Sequence, residues 1–305
     1  MNSEKIKIGL GYIIICLMWG STWLVIRVGL ESLTPFFSAG LRFSLAALIL
    51  FIIIKIRGLQ LQTDKTALIL YIIMGFFSFV IPFGLVYWSE GYIPSSLASI
   101  LFASYPFFVA LFSKLTFSEE KLTVDKVLGI MLGFFGIIII FSNDLDFGLS
   151  YNLMGMIAVL ISAMLQGIIS VTIKKYGKYL NPLTMNFIPL TIAGIALILI
   201  GLLVEDMSYQ KYDWKAIFSV SYLAIFGTIV TFTTYYWLLQ RMNIIILSLN
   251  TFITPIIAII LGYILLNEVL SLNDLIGTFL VLMGILFANF KGLKKFYSVR
   301  FERSL

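Results

Sequence analysis

The sequence predicts an all-α integral membrane protein with ten transmembrane helices in two inverted five-helix repeats. Its 305 residues are 60% hydrophobic, with a mean hydropathy of +1.04, which is more apolar surface than a soluble domain can bury. Ten apolar stretches approach the length of about 20 residues that crosses the hydrocarbon core of a bilayer. The second half also repeats the first, and an odd number of spans in each repeat gives the two copies opposite orientations.

The ten predicted spans follow one another through short loops. They cover residues 8–26, 34–54, 67–88, 95–113, 124–142, 153–173, 183–204, 215–238, 244–266 and 272–290. The first repeat is predicted to occupy residues 1–146 and the second residues 147–292, followed by a basic cytoplasmic tail, 293–305. The loops leave no room for a nucleotide-binding domain, and the sequence has no glycine-rich phosphate-loop motif.

The duplication is visible as matched residue pairs that occur in the same order in both halves. They include Leu33-x-Pro35 with Leu180-x-Pro182, Tyr87-Trp88 with Tyr236-Trp237, Ser99-x6-Pro106 with Ser248-x6-Pro255, and Glu120-x-Leu122 with Glu268-x-Leu270. These matches reach the last span of each half, so they indicate duplication of a whole five-helix unit.

The distribution of positive charge predicts the orientation in the membrane. Of the 21 Lys and Arg residues, 17 lie on the side of the amino terminus, three (Arg27, Lys211 and Lys215) lie on the other side, and Arg42 lies within the second span. By the positive-inside rule, both termini of this multi-pass protein are cytoplasmic. The same distribution explains the net charge of +6 without a nucleic-acid partner, which we exclude.

The composition argues against an enzyme and against resident cofactors or metals. There is no histidine, and the single cysteine, Cys16, lies in an apolar run, so a paired nucleophile and base or a metal site is not expected. A channel more often shows rings of pore-lining charge or a filter loop. An intramembrane enzyme and a channel are therefore the less favoured alternatives to a carrier.

Several motifs occur in order at matching spacing. They are Met18-Trp19-Gly20-Ser21-Thr22-Trp23, Leu41-Arg42-Phe43, the two Ser-x6-Pro helices and the two Glu-x-Leu-[Ser/Thr] segments. With them, the chain resembles the EamA-type carriers of the drug/metabolite transporter superfamily from Ile8 to Phe290.

This resemblance implies a secondary transporter of a prokaryotic cytoplasmic (inner) membrane. Because members move amino acids, other metabolites or drugs on one scaffold, fold alone does not select the substrate. We expect alternating-access transport of amino acids or similar small metabolites by an exporter or facilitator, with drug or amphipathic-compound efflux as the alternative. The expected partners are a small-molecule substrate and the lipid bilayer, and the protein is expected to be a monomer or a homodimer.

Arg42 is the only charged residue well inside a predicted span. Such a charge is costly and usually faces a wet cavity or a partner. One interpretation is that Arg42 attracts a substrate carboxylate or another anionic group. The other is that it binds backbone carbonyls, or Glu31 and Glu90 at the outer mouth, and holds helices together.

Pro106 and Pro255 are predicted to kink the fourth and ninth helices. Each removes a backbone donor, which leaves carbonyls near Phe102 and Thr251 free to bind a ligand. Broken helices near the midplane often form carrier sites, so the nearby polar residues are candidate cavity residues: Ser104, Tyr105, Asn250, Thr251 and Thr254. The alternative is that the kinks only shape packing and the hydroxyls bond their own helices.

Further cavity candidates come from the first, sixth, seventh and eighth helices. Thr228, Thr231, Thr234 and Tyr235 share one helix face by their spacing. Combined with other polar and aromatic side chains, they would form an apolar cavity with a few hydrogen-bonding groups, and the added residues are Trp19, Ser21, Trp23, Gln166 and Asn186. Taken singly, such residues are also typical of interhelical packing.

Three other features have structural interpretations. The Tyr-Trp pairs are predicted to belong to interfacial aromatic belts, with gating of the pathway as the alternative. Glu120 and Glu268 are predicted to cap the fifth and tenth helices. The glycines at 129, 133 and 136 and at 277 and 284 predict close helix packing, within the monomer or at a dimer contact.

Every acidic residue falls in a loop or at a helix end. Proton-coupled carriers commonly use carboxylates or histidines inside the membrane. The sequence therefore predicts passage down the substrate gradient, or exchange, rather than stoichiometric proton coupling.

Overall fold

A computed structural model describes residues 3–117, 124–142 and 151–301, and within these ranges the chain forms ten helices, as predicted. Their bounds are α1 Ser3–Gly29, α2 Pro35–Ile56, α3 Lys65–Ser89, α4 Ser95–Thr116, α5 Val124–Phe141, α6 Tyr151–Tyr176, α7 Thr184–Val204, α8 Trp214–Arg241, α9 Ile244–Leu266 and α10 Leu272–Phe301. Eight are long and apolar enough to cross a membrane, and α5 and α10 contain shorter apolar helices. Since α10 continues to Phe301, most of the expected tail is helical.

Short polar side chains start several of these helices. Asp64 accepts a hydrogen bond from the Ala67 amide at the start of α3, and Asp213 does the same for the Ala216 amide in α8. Asn243 accepts from the Ile245 amide at the start of α9. These caps satisfy amide groups that the first helical turn leaves without a carbonyl partner, so a loop of two residues suffices between α8 and α9.

The packing of the helices follows the internal repeat. Helix α2 packs against its repeat counterpart α7, and α5 packs against its counterpart α10. Helix α1 packs against α8 and α9, while its counterpart α6 packs against α3 and α4. Because equivalent pairs occur in both halves, the bundle has an approximate two-fold relation between the repeats, as inverted duplication requires.

The two glycine stripes face each other inside one chain. A Cβ atom built at Gly136 would lie 2.6 Å from the carbonyl oxygen of Gly277, and one built at Gly284 would lie 2.6 Å from the Gly133 nitrogen. The absence of side chains therefore lets α5 and α10 approach to backbone contact. Of the two packing interpretations open from the sequence, the structure shows the contact within the monomer for these glycines.

The bundle has two loop-bearing faces. We call the face with the amino terminus and loops 57–64, 177–183 and 242–243 the terminal face. The opposite face, with loops 30–34, 90–94, 205–213 and 267–271, is the distal face. Both ends of the described chain lie on the terminal face because the number of spans is even.

Glu268 does not cap α10, contrary to the sequence-based interpretation. Its carboxylate accepts hydrogen bonds from the amide and hydroxyl of Ser95 at 2.9 and 2.8 Å and from those of Ser96 at 3.0 and 2.6 Å, so it caps α4. Burial opposes ionisation of Glu268, but these bonds outweigh it and lower its pKa. Helix α10 instead starts with a capping box between Ser271 and Asp274. Glu120 lies outside the described residues.

Glu205 forms a second clamp of the same kind on the distal face. It accepts hydrogen bonds from the Thr34 hydroxyl at 2.7 Å and from the amides of Phe36 and Phe37 at 2.7 and 3.0 Å, at the start of α2. Both clamps join a carboxylate of the second repeat to a helix amino terminus of the first. They therefore hold the two repeats together at this face.

Replacing Gly136 by Ala is expected to destabilise the protein by about 1 to 3 kcal/mol, because the added methyl group meets backbone atoms of α10 that cannot move aside. Gly9→Ala is the matched control, since nothing lies within 4 Å of its added Cβ. Thermal unfolding in detergent checks the pair. Equal melting temperatures for the two variants would contradict the close α5–α10 contact.

Replacing Glu268 by Ala is expected to cost about 1 to 2 kcal/mol, because the first turn of α4 loses its acceptor. This stabilisation is present above the ordinary carboxyl pKa and declines as the pH falls through the lowered pKa of Glu268. Glu31→Ala on the same face is the control, since Glu31 forms only an exposed pair with Lys215, which contributes little. Melting curves across pH measure both effects, and a shift as large in the control would refute the clamp.

Candidate substrate cavity

Irregular helix segments surround the centre of the bundle. Helix α3 contains a π-helical segment, Gly75–Val80, and α8 contains another, Ile225–Val230, at the equivalent place in the second repeat. Helix α4 is interrupted between Phe102 and Tyr105, and α9 between Ser248 and Asn250. Such departures from the regular hydrogen-bond ladder re-aim side chains and free backbone carbonyls, and they often accompany functional sites.

A cavity lies between these segments, with an empty volume of about 770 Å³ including its opening. Helices of both repeats contribute to its wall. Its lining consists of Trp19, Thr22, Trp23, Ile26, Arg42, Phe83, Val86, Phe102, Tyr105, Ser162, Gln166, Ser170, Phe232, Tyr235, Tyr236, Thr251 and Thr254.

Aromatic rings form much of the cavity wall. Trp19 of α1 packs against Phe232 and Tyr235 of α8, with ring centroids 5.4 and 5.3 Å apart. Trp23 packs against Phe102 of α4 at 5.5 Å. A mainly apolar wall with a few polar groups is typical of small-molecule sites, so the cavity suits an organic molecule better than a hydrated inorganic ion.

Arg42 supplies the cationic side chain in this wall. It lies seven residues after the start of α2, about 10 Å along the helix axis, and is only 1% exposed. Its guanidinium donates to the Thr228 hydroxyl at 2.8 Å, the Gly227 carbonyl at 3.0 Å and the Tyr87 hydroxyl at 3.3 Å. These partners use three of its five N–H groups, and all three partners are neutral.

No carboxylate of the described residues bonds Arg42 directly. Among the described residues, no acidic side chain forms an ion pair with it, and Glu31 pairs with Lys215 instead. The rings of Phe43 and Phe83 lie 5.1 and 4.9 Å from the guanidinium carbon, and such contacts stabilise a cation without neutralising it. Arg42 thus joins α2 to α8, as its structural interpretation predicts, and it also places a positive charge in the cavity wall.

The π segment of α8 makes this arrangement possible. A Cβ atom at Gly227 would lie 2.8 Å from the Thr22 methyl group and 3.3 Å from an Arg42 nitrogen, so only glycine leaves room for the guanidinium to reach the carbonyl. The same carbonyl accepts from the Thr231 hydroxyl at 2.7 Å. Thr231, a predicted cavity residue, is therefore occupied within its own helix and does not line the cavity.

A cluster of three hydroxyl groups joins the repeats nearer the terminal face. The Tyr105 hydroxyl of α4 lies 2.5 Å from that of Tyr235 in α8, and both bond Ser170 of α6, at 2.8 and 3.1 Å. Gln166, one turn before Ser170, exchanges two hydrogen bonds with Ser78 in the π segment of α3. These contacts keep the buried polar groups satisfied and connect opposite walls of the cavity.

The structure brings together eight of the thirteen predicted cavity residues: Trp19, Trp23, Arg42, Tyr105, Gln166, Tyr235, Thr251 and Thr254. Besides Thr231, four others do not line the cavity. Ser21 bonds Tyr222 at 2.7 Å and Asn186 donates to the Pro182 carbonyl at 2.7 Å. Ser104 and Asn250 are wholly buried at the helix interruptions, with side-chain polar atoms that have no hydrogen-bond partner.

The two prolines act differently from each other. Pro106 stands in the first turn of the second segment of α4, Tyr105–Thr116, where a missing amide costs nothing. Pro255 lies inside the segment Asn250–Leu266. The Thr251 carbonyl, which Pro255 deprives of an amide donor, accepts from the Thr254 hydroxyl at 3.4 Å, so it is not free as expected.

Sequence reasoning missed nine lining residues, of which Thr22, Ser162 and Ser170 are polar and Tyr236 was assigned to an aromatic belt. Tyr236 is 2% exposed and Tyr87, its repeat counterpart, is fully buried, so the belt interpretation is wrong for both tyrosines. Their adjacent tryptophans are half-buried. The repetition of Tyr-Trp at equivalent places was the signal that could have identified them as interior residues.

Ten membrane helices in two inverted repeats around a central cavity define a membrane transporter architecture. The chain belongs to the EamA-like transporter family, which it matches over residues 7–142 and 153–290, one match for each repeat. The protein is therefore a multi-pass membrane transporter.

Relatives along nearly the whole chain have similar descriptions. The chain is 28% identical over 285 residues to the "uncharacterized transporter YoaV" of Bacillus subtilis (strain 168), covering 93% of this chain and 97% of that protein. It is 30% identical over 259 residues to the "uncharacterized inner membrane transporter YedA" of Escherichia coli (strain K12), covering 84% and 81%. A solved crystal structure with 17% identity covers 93% of this chain and 98% of its own with a TM-score of 0.68, which supports the fold alone.

Proposed function

We propose that the protein carries amino acids, or similar small metabolites with a carboxylate, across the cytoplasmic membrane by alternating access, as an exporter or facilitator. The observation that carries this proposal is Arg42, a buried cation without a carboxylate partner in the wall of an aromatic cavity. A charge in such a place costs on the order of 3 kcal/mol to insert. A substrate carboxylate would offset part of that cost when it binds.

The geometry of Arg42 supports this role. Thr228, Gly227 and Tyr87 hold the guanidinium in one orientation, and among the described residues its two other N–H groups have no hydrogen-bond partner. A planar guanidinium matches the two oxygens of a carboxylate. The rings of Trp19 and Phe232 would then contact the apolar part of the substrate.

Alternating access requires that contacts between the repeats break at one face at a time. On the distal face those contacts include the Glu205 and Glu268 clamps, the Ser32–Asp213 hydrogen bond and the Glu31–Lys215 ion pair. Toward the terminal face they include the hydroxyl cluster at Tyr105, the bond from Tyr179 to Asp64 at 2.7 Å and the bond from Thr184 to Gln62 at 3.3 Å. Both sets are polar and local, so rocking of one repeat against the other exchanges a few hydrogen bonds for hydration by water.

Efflux of drugs or amphipathic compounds is the second candidate. The aromatic lining supports it, because rings such as Trp19, Phe83 and Phe232 bind planar apolar molecules without a specific polar anchor. In that case Arg42 would serve chiefly to join α2 and α8.

The first expected outcome concerns Arg42. Proteoliposomes with the wild-type protein should exchange labelled amino acids for internal unlabelled ones in a saturable way, and Arg42→Gln should lower the apparent affinity at least about tenfold, since a charge-assisted bond is lost. Arg42→Lys should be intermediate, because it keeps the charge but not the planar fork. Arg241→Gln, which changes an exposed arginine at the end of α8, should match the wild type.

Amine analogues that lack the carboxylate test directly whether Arg42 recognises that group. The wild type should discriminate against them and Arg42→Gln should not. Folding of each variant is checked by its elution as a single species in detergent. If no amino acid exchanges through folded wild-type protein, or if amines exchange as well as amino acids, the efflux proposal replaces this one.

The second expected outcome concerns orientation. With Cys16 replaced by Ala, Ser208→Cys on the distal face should react in intact cells with a membrane-impermeant maleimide, because we propose that this face is extracytoplasmic. Thr63→Cys on the terminal face should react only after permeabilisation. Both side chains are exposed, so the reverse pattern would place the termini outside the cytoplasm.

A further inference from the structure

Glu90 is a carboxyl group that the sequence places at a helix end and the fold buries completely. It follows directly after α3, its side chain is 0% exposed, and neither carboxyl oxygen has a hydrogen-bond partner. Burying an ionised carboxylate without a partner is far more costly than burying a neutral carboxyl. A group in this position therefore has a reason to hold a proton.

Glu90 lies between two hollows. Val86, one turn earlier on α3, lines the central cavity, and Glu90 lies about 6 Å beyond it along the helix. The next residue, Gly91, lines a second hollow on the distal face, together with Arg27 and Glu268. Glu90 is thus part of the wall that separates the cavity from the distal hollow in this state.

Charged and titratable groups approach Glu90 from several elements. Arg27 of α1 donates to the backbone carbonyl of Glu90. Arg42 of α2 donates to Tyr87, which lies three residues before Glu90 on the same face of α3. Glu268 approaches from the loop between α9 and α10.

These surroundings favour the neutral form of Glu90. Burial raises its pKa well above the ordinary value, Arg27 and Arg42 lower it to a smaller extent, and Glu268 raises it further. When the wall opens and water reaches the carboxyl group, burial no longer opposes ionisation, and the two arginines then favour the anion.

We propose that Glu90 is a proton-binding site that couples proton movement to the binding of the substrate carboxylate at Arg42. This inference rests on the proposed function. The ionised Glu90 and a substrate carboxylate are two anions, and both are attracted to the positive charge of Arg42. They therefore compete for it. The substrate therefore binds when Glu90 holds a proton and is released more readily when Glu90 has lost it.

The coupling is reciprocal, because a proton that strengthens substrate binding must itself bind more tightly when substrate is present. One proton adds to a carboxylate oxygen of Glu90 on one side of the membrane, and the O–H bond so formed breaks to release it on the other, with no oxidation or reduction. Proton and substrate then move in the same direction. Coupling of this sign lets an inward proton gradient assist uptake and oppose exit, so within the proposed function it selects the facilitator over the exporter. It differs from the sequence-based expectation of uncoupled passage.

The test compares wild type, Glu90→Gln and Glu31→Gln in proteoliposomes. In exchange of labelled for unlabelled amino acid at equal pH, no net proton movement is needed, so all three should be active. In uptake driven by an acidic exterior, the wild type and Glu31→Gln should accumulate substrate above equilibrium, and Glu90→Gln should only equilibrate. A pH dye inside the vesicles should report substrate-driven acidification in the same two proteins alone.

A second measurement begins with the wild type, whose result does not depend on whether a variant folds. With one coupled proton, the apparent affinity of the wild type should fall about tenfold for each pH unit above the pKa of Glu90. Glu90→Gln should bind independently of pH, and Glu90→Asp should retain a pH dependence with a shifted midpoint.

The outcomes separate the two proposals. Saturable exchange by the wild type without pH dependence and without proton movement overturns the role of Glu90 and leaves the proposed function intact. Absence of exchange by folded wild type overturns the proposed function and this inference with it. Loss of exchange in folded Glu90→Gln, together with an unshifted pH dependence in Glu90→Asp, would make Glu90 a structural residue.

Discussion

The buried positive charge of Arg42 is the constraint on which the centre of this protein depends. Three neutral acceptors, Thr228, Gly227 and Tyr87, fix the guanidinium without neutralising it. Reaching them requires a wide turn in α8 and a glycine at the contact. Because the acceptors come from both repeats, the group that charges the cavity also joins the two halves that alternating access must move. A substrate anion that weakens or redirects these bonds would therefore change the charge of the cavity and the contact between the two repeats at the same time.

The distal face shows how the repeats are held together around that centre. Carboxylates Glu205 and Glu268 of the second repeat cap helices α2 and α4 of the first, so exposed helix amides serve as the contact points. Contacts toward the terminal face include hydroxyls, the Gln62 side-chain amide and the exposed carboxylate of Asp64. The distal contacts are thus the more strongly charge-assisted ones. Glu90 is buried beside them, its carboxyl oxygens have no hydrogen-bond partner, and water would reach it when that face opens.

The candidate site was only partly predictable, for reasons that individual residues make clear. Arg42 and Tyr105 were identifiable because a charge or a polar group in an apolar span needs a partner. Ser21 and Thr231 have the same chemistry, yet Ser21 bonds Tyr222 of α8 and Thr231 bonds the Gly227 carbonyl of its own helix. Glu268 follows α9 in the sequence but caps α4, and no local pattern indicates which helix end a loop carboxylate will reach.

The sequence by itself determined the ten spans, their inverted duplication and the family, because hydrophobic length and repeated spacing are properties of the chain alone. Tertiary structure decided which polar side chains meet, since a rotation of a helix by half a turn exchanges a cavity position for a packed one. It also decided which acids are buried. Glu90 lies at a helix end in the sequence and at 0% exposure in the fold, because neighbouring helices, not its own, remove it from water.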